Sequence, residues 1–336
     1  ILSGLVGSEM CIRDRAQTYY DPSAICPRWM KFLMTAMDGN TDMIEMLQRI
    51  VGYCLTGSVR EQALFFFYGE GRNGKSTFLS TIQKLMGDYS QTAPRGLLES
   101  DRNNDHDTRL AMLYRSRLVV GSEIENGKHL AESMVKDLTG GERITARRMR
   151  EDYWHFDPTH KIVMQGNHKP RVVGTDFGFW RRLKLIPWTV TVPPNKRDPD
   201  LAKKLEAELP GILNWAVMGC HAWMTDGKGL RTELVEKATE AYRNEQFDMQ
   251  RLPELFREFA SNSLDLGMGF RVAKKDLWSS YIEWSRTNNH PIGDEVQKHI
   301  SERLYLYLRE DMELGESRTG EARFWTGAKL KKKTEN

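Results

Sequence analysis

The chain has 336 residues, 40% of them hydrophobic and 28% charged, which is long enough for two or three compact units and apolar enough to bury a core. No apolar run of about eighteen residues occurs, which excludes a transmembrane helix, and the four cysteines, Cys11, Cys26, Cys54 and Cys220, are too scattered for a CxxC metal site or a disulfide framework and read as reduced cytoplasmic thiols. The formal net charge of +3 is too small to mark a nucleic-acid binder, so any such reading rests on local clustering.

The segment "LVGSEMCIRDR" (5–15) has no periodicity and joins no later pattern. It resembles the in-frame translation of an adapter used in sequencing libraries. Residues 1–15 are therefore read as a non-native scar and set aside, with the natural start expected further upstream. From Trp29 to Leu55 apolar residues fall at helical spacing, Met30, Leu33, Met34 and Met37, then, after the Asp38-Gly39-Asn40 turn, Met43, Ile44, Leu47 and Ile50, which predicts a helical domain over 16–60.

The next span, 61–192, reads as one α/β core. "ALFFFYG" (63–69) is a continuous apolar run closed by glycine, the pattern of a strand buried on both faces of a parallel sheet. "RLVVGSE" (117–123) and "KIVMQGN" (161–167) repeat the form, each ending in polar groups at the edge where open α/β sheets bind ligands. The charged, proline-rich "TVPPNKRDPD" (191–200) marks a boundary. Helices follow in a region over 193–262, with Leu201, Leu205, Leu209 and Ile212 on one stripe. The last span, 263–336, predicts two helices and a hairpin around Thr319-Gly320, then a basic tail. Helices followed by a two-stranded wing suggest a winged-helix module.

The chemistry is concentrated in the core. Gly69-x-x-x-x-Gly74-Lys75-Ser76 matches the P-loop pattern, in which backbone N–H groups wrap a polyphosphate at the start of the next helix. The stretch "GEGRNGKST" supplies the candidate nucleotide contacts, Gly69, Glu70, Gly71, Arg72, Asn73, Gly74, Lys75, Ser76 and Thr77. Lys75 reaches the β and γ phosphates and Ser76 ligates Mg²⁺. A buried strand before the loop and the helical spacing of Phe78, Leu79, Ile82 and Leu85 after it supply the context that the motif needs.

Hydrolysis also needs carboxylates. Glu123 and Glu125 stand at the end of the second apolar strand, where one holds the metal's water shell, Glu123 being the candidate, and the other polarises the attacking water; the residues alone leave that division open, and Ser122 stands where a second acid often does. Asn167, after the third strand, is placed to donate to the γ-phosphate or orient the water. Arg181 and Arg182 precede another apolar strand, with Arg182 preferred as the arginine that a neighbouring subunit donates to the transition state. Between the second and third strands, Arg143, Arg147, Arg148 and Arg150 lie beside Tyr153, Trp154 and Phe156, a mixture that suits a sugar-phosphate backbone.

Taken in order, "GEGRNGKST", "RLVVGSEIE", "KDLTGGERITARR", "IVMQGNHKP" and "FWRRLKLIPW" resemble a superfamily 3 helicase, the C-terminal helicase region of phage and plasmid primases related to poxvirus primase-helicases. The resemblance covers most of the chain beyond residue 16. It implies an AAA+-like P-loop NTPase core with a parallel sheet, a hexameric ring with ATP at subunit interfaces, Arg182 acting in trans, and the 147–150 hairpin drawing single-stranded DNA through a central channel with 3′ to 5′ polarity. It further implies ATP and Mg²⁺ as ligands, single-stranded and duplex DNA as partners, association with a primase domain or protein, and residence in a bacterial host cell or viral replication site. Two other classes compete with an ATP-driven helicase: a replication initiator whose nucleotide only assembles the ring, and a small-molecule P-loop kinase, which nothing resembling an acceptor lid supports.

Overall fold

The computed structural model describes residues 18–100, 106–122, 128–173, 176–292, 297–320 and 322–331. They divide into two units, one ending at Arg243 and one beginning at Asn244.

The first unit opens with α1 (Pro27–Ala36) and α2 (Thr41–Cys54). Pro27 occupies the first turn of α1, where its missing N–H costs nothing, and Asn40 caps α2 by accepting from the Met43 N–H. The chain then runs β1 (Leu64–Tyr68), α3 (Lys75–Met86), β2 (Ser90–Thr92), α4 (His106–Leu110), β3 (Leu118–Gly121), α5 (Glu132–Thr139), β4 (Ile144–Arg147), β5 (Tyr153–Phe156), β6 (Lys161–Gly166), α6 (Phe177–Trp180), β7 (Leu183–Pro187), α7 (Leu201–Glu206) and α8 (Leu209–Thr225). The three strands expected from apolar runs are β1, β3 and β6, and the run after the arginine pair is β7.

These strands form a five-stranded sheet in the order β2-β3-β6-β1-β7, with every pairing parallel. β1 lies between β6 and β7, with Leu64 opposite both Ile162 and Leu183. This central placement accounts for the unbroken apolar run, since Leu64, Phe65, Phe66 and Phe67 are all buried.

One hydrophobic cluster joins the sheet, α1, α2, α3 and α8. At its centre Trp29 stacks on Phe78 at 5.3 Å and meets Trp215 edge-on at 5.5 Å. Glu208 clamps the start of α1, its carboxylate accepting from the N–H groups of Arg28 and Trp29. α2 and α8 approach closely because Gly52 has no Cβ; one added there would lie 2.0 Å from the backbone nitrogen of Cys220. The residues expected as a helical domain pack in one core with the strand and helix that flank the P-loop.

The long helix α9 (Glu233–Ser263) leads into the second unit, which contains β8 (Leu264–Ala273), α10 (Lys274–Thr287), α11 (Gln297–Glu310), β9 (Gly315–Thr319) and β10 (Ala322–Leu330). Its sheet is antiparallel in the order β8-β10-β9. Trp325 of β10 pairs with Val272 on one side and Glu316 on the other and is fully buried among Phe256, Phe259, Tyr281 and Leu304. The expected hairpin is β9–β10, with Thr319 paired to Ala322 and Gly320 at φ +60°. Among the described residues, no helix is long and apolar enough to cross a membrane.

Candidate functional site

β1 ends at Tyr68, and Gly69 to Gly74 turn the chain into α3. The turn needs glycine at both ends. Gly69 has φ +146°, and a Cβ there would lie 2.1 Å from the Trp188 carbonyl oxygen; Gly74 has φ +91° and would meet Phe32 Cε2 at 2.9 Å. Between them Asn73 is buried, its amide donating to the carbonyls of Glu70 at 2.6 Å and Trp188 at 2.9 Å while its Oδ1 accepts from the Lys75 N–H at 3.4 Å. Lys75 is also buried, with Nζ bonded to Asn73 Oδ1 at 3.2 Å and to the Gly69 carbonyl. The extension of β7 clamps the loop: the Trp188 N–H donates to Tyr68 and the Val192 N–H to Arg72. This cradle, open at Gly71 where a Cβ would meet nothing within 4 Å, suits an anion at a helix N-terminus.

Parallel register brings the neighbouring strand end alongside. Phe67 lies opposite Gln165 and Tyr68 opposite Gly166, so Asn167 follows its strand as Gly69 follows β1. Gln165 Oε1 accepts from the exposed Ser76 hydroxyl at 3.2 Å, tying the first turn of α3 to β6. Gly121 of β3 lies opposite Met164, which aligns the exposed Ser122 with the same edge. Glu123 and Glu125 lie outside the described residues.

The arginine pair lies elsewhere. The Leu64 N–H donates to the Arg182 carbonyl, so Arg181 and Arg182 flank the start of β1, whereas the loop follows its end. Five residues of strand separate the two edges, about 16 Å. Arg182 is 9% exposed, with one guanidinium N–H donating to the Gly178 carbonyl. Burial and then the charge of Arg181 lower its affinity for a proton, and Asp176 opposes them. Arg181 is exposed and donates to Gln62 Oε1 at 2.8 Å. Asp176 caps α6 through the Gly178 N–H and accepts from Lys136 Nζ; that hydrogen bond chiefly holds its carboxyl below the usual range.

β4 and β5 form the expected basic hairpin, with Ile144 opposite Phe156 and Arg147 opposite Tyr153. Arg147, Arg148 and Arg150 are exposed around its turn, as is Arg143 at its base, where Asp157 accepts from its Nε at 3.0 Å. The aromatics divide by face: Tyr153 is exposed beneath the Arg147 guanidinium at 5.5 Å, while Trp154 and Phe156 pack edge-on against Tyr114 at 4.7 and 5.5 Å. Residues 157–160 connect the hairpin directly to β6, which ends at Gln165 and Asn167.

Sequence reasoning missed a cleft of about 810 Å³ beside the loop, walled by α1, Gly74, Thr77 and the segment after Val192. The signal was present in α1: Arg28, Lys31, Phe32 and Thr35 recur at helical spacing on one face.

Residues 67–182 match the model described as "Family of unknown function (DUF5906)", an interval that runs from β1 to Arg182. Over 286 residues the chain is 24% identical to "Putative helicase L207/L206" of Acanthamoeba polyphaga mimivirus, covering 79% of this chain and 29% of the relative. It is 23% identical over 318 residues to "Putative primase C962R" of African swine fever virus (isolate Tick/Malawi/Lil 20-1/1983), covering 88% and 31%, and 23% identical over 301 residues to "Putative helicase V13" of Sputnik virophage, covering 82% and 36%. The chain is a relative of these viral helicase and primase proteins. It spans roughly a third of the length of the viral helicase and primase relatives it matches. Its fold is shared with the apo structure of the NrS-1 C-terminal region, at a TM-score of 0.54 and 13% identity over 92% of this chain and 77% of that one.

Proposed function

We propose that this chain is the motor of an ATP-dependent DNA helicase of phage, virus or plasmid replication. The single observation that carries the reading is the cradle of Gly69 to Lys75, clamped by Asn73 to Trp188 and set one strand from Asn167, in a chain related to viral proteins named as helicases and primases.

In this reading the backbone N–H groups of the loop and the first turn of α3 receive the β and γ phosphates, and Lys75 transfers its ammonium from the loop's own oxygens to theirs. Mg²⁺, when bound, neutralises charge developing on those phosphates. Ser76 on α3 would hold it, with the hydroxyl positioned by its hydrogen bond to Gln165. Glu123 and Glu125 supply the carboxylates, one for the metal's water shell and one to take a proton from the attacking water. Asn167 orients that water or donates to the γ-phosphate.

The arginine pair flanks the far edge of the sheet from its own cradle, which favours action on a neighbouring subunit's nucleotide and hence a ring, in the manner of an arginine finger. Of the two, the exposed Arg181 is available to a neighbour as the structure stands, while Arg182 braces α6. Arg147, Arg148 and Arg150 grip the sugar-phosphate backbone of single-stranded DNA, and β6 links their hairpin to Asn167. The second unit, with two helices and the β9–β10 wing, serves as a winged-helix module for duplex DNA. Residues 16–60 act as a helical domain, and a primase domain or protein is the partner in priming.

The test is ATP hydrolysis by the folded protein with and without single-stranded DNA, together with strand separation. Hydrolysis stimulated by DNA and abolished in Lys75→Ala is the expected result. No hydrolysis in either condition, from a folded and oligomeric sample, overturns the reading. Duplex binding and assembly by wild type with no strand separation would favour the initiator.

A further inference from the structure

The cleft beside the loop combines one aromatic ring with several cations. Phe32 is a half-buried ring among charged neighbours. It is fixed from behind by Trp29 at 5.6 Å and from the side by the backbone of Gly74, whose missing Cβ leaves room for its edge. Arg28 and Lys31 extend from the same face of α1, and Arg72 reaches in from the loop; all three are exposed. The far wall is tied internally, with Lys204 bonded to Asp198 at 2.7 Å and the Arg197 Nε–H donating to Val192 at 2.9 Å.

Gly74 and Thr77 belong both to the phosphate cradle and to the wall of this cleft. A polyphosphate seated on the N–H groups around Lys75 therefore has an adjoining space in which its remaining part can lie. The volume, about 810 Å³, is within the range of about 300–1,000 Å³ that small-molecule sites occupy. A rigid aromatic face with cations around it suits a flat heterocycle carrying phosphate, because any base presents a π-face for stacking and the cations attract the anionic end.

We propose that this cleft is the nucleoside subsite of the nucleotide site, with the base stacked on Phe32, the α-phosphate passing Thr77, and Arg28, Lys31 and Arg72 supplying the positive rim. The assignment rests on the reading of Gly69 to Thr77 as a phosphate cradle. It makes α1, about forty residues before the loop, part of the nucleotide site.

The test compares ATP with inorganic tripolyphosphate, each titrated with Mg²⁺ against the full chain. Wild type should bind ATP at least about tenfold more tightly. Phe32→Leu, which keeps apolar volume against Gly74 but removes the ring, should weaken ATP by about tenfold, within the span measured for aromatic stacking, and leave tripolyphosphate unchanged; Phe32→Tyr should restore ATP binding. On the unaltered protein, 8-azido-ATP should crosslink to the α1 peptide spanning Arg28 to Thr35, with protection by ATP. Equal affinities of wild type for ATP and tripolyphosphate, or equal loss of both in Phe32→Leu, overturn the subsite while leaving the cradle standing, as does crosslinking confined to other peptides. Binding of neither ligand by folded wild type overturns both.

Discussion

The side-chain amide of Asn73 donates to the carbonyl of Trp188 at 2.9 Å. One buried hydrogen bond thus fixes the glycine loop to the residue that follows β7, the strand that the arginine pair precedes. β7 starts beside Arg182 and ends on the loop, so a single strand links the edge that carries the arginine pair with the edge that carries the glycine loop. The five residues of β7, each paired in parallel with β1, are the direct covalent path between the two edges.

Asn73→Ala removes both donations and leaves the carbonyls of Glu70 and Trp188 without that partner. The expected loss is about 1–3 kcal/mol of stability, read as a lower thermal midpoint, with nucleotide affinity falling by about tenfold as the loop loosens. Asn73→Asp keeps the acceptor for the Lys75 N–H but sets a carboxylate beside the polyphosphate, so its affinity should fall further than that of the alanine variant. An unchanged midpoint in Asn73→Ala would show that the clamp contributes nothing.

The two arginines separate by burial. Arg182→Ala should lower the thermal midpoint, because it strips the Gly178 carbonyl of a donor and opens a space beneath α6. Arg181→Ala should leave the midpoint within about 1–2 °C of wild type and reduce hydrolysis by at least about a hundredfold, as removal of an arginine finger does. Mixing Arg181→Ala with Lys75→Ala subunits should then recover part of the hydrolysis at interfaces that carry an intact loop and an intact arginine. Full hydrolysis by Arg181→Ala alone would assign the trans role to Arg182.

Much of the site was legible in the sequence because its signals are local. The loop needs glycine where φ is positive and where Trp188 and Phe32 press close, and a strand buried on both faces needs an unbroken apolar run; both requirements leave a mark within fourteen residues. What was not legible depends on spatial order. β2 is the polar triplet Ser90-Gln91-Thr92 at the sheet edge, too short and too hydrophilic to show a period. The insertion of β6 between β3 and β1 is set by crossovers rather than by any residue in β6. The different burial of Arg181 and Arg182 follows from the α6-to-β7 turn, which sends consecutive side chains in different directions. The cleft on Phe32 is assembled from segments about 160 positions apart, and a face of arginine, lysine and one phenylalanine on α1 reads, by itself, as a solvated stripe.

DNA binding by the β4–β5 hairpin should depend on salt. Arg147, Arg148 and Arg150 are exposed, and the Glu151 carboxylate lies 3.8 Å from Arg148, so each guanidinium can reach a phosphate without breaking a buried contact. If each neutralises one phosphate of single-stranded DNA, replacing all three with alanine should flatten the slope of log K against log salt by about 2. The loss of affinity should be uniform across sequences, since backbone contacts carry no base information. A wild-type slope in the triple variant would assign DNA binding to another surface.

At the opposite edge of the sheet from the loop, His160 precedes β6. It is 2% exposed; burial first, and then the neighbouring Lys161 charge, push its pKa down to about 4 from an ordinary 6.5, with a backbone contact at Leu138 opposing. Between those two values the unfolded chain binds a proton that the folded chain refuses. Stability is therefore greatest above pH 6.5 and is lost as pH falls toward 4, at about 1.4 kcal/mol per pH unit. His160→Gln carries no titrating group, so its loss of unfolding free energy between pH 7 and pH 5 should be smaller than that of wild type by about 2 kcal/mol. Other carboxylates titrate in both proteins and cancel in the comparison, which makes the difference in denaturation slopes specific to this residue. Because His160 flanks the edge away from Lys75, the same substitution should leave nucleotide affinity at pH 7 unaltered, and a change in that affinity would mean that the base of β6 is mechanically coupled to its tip.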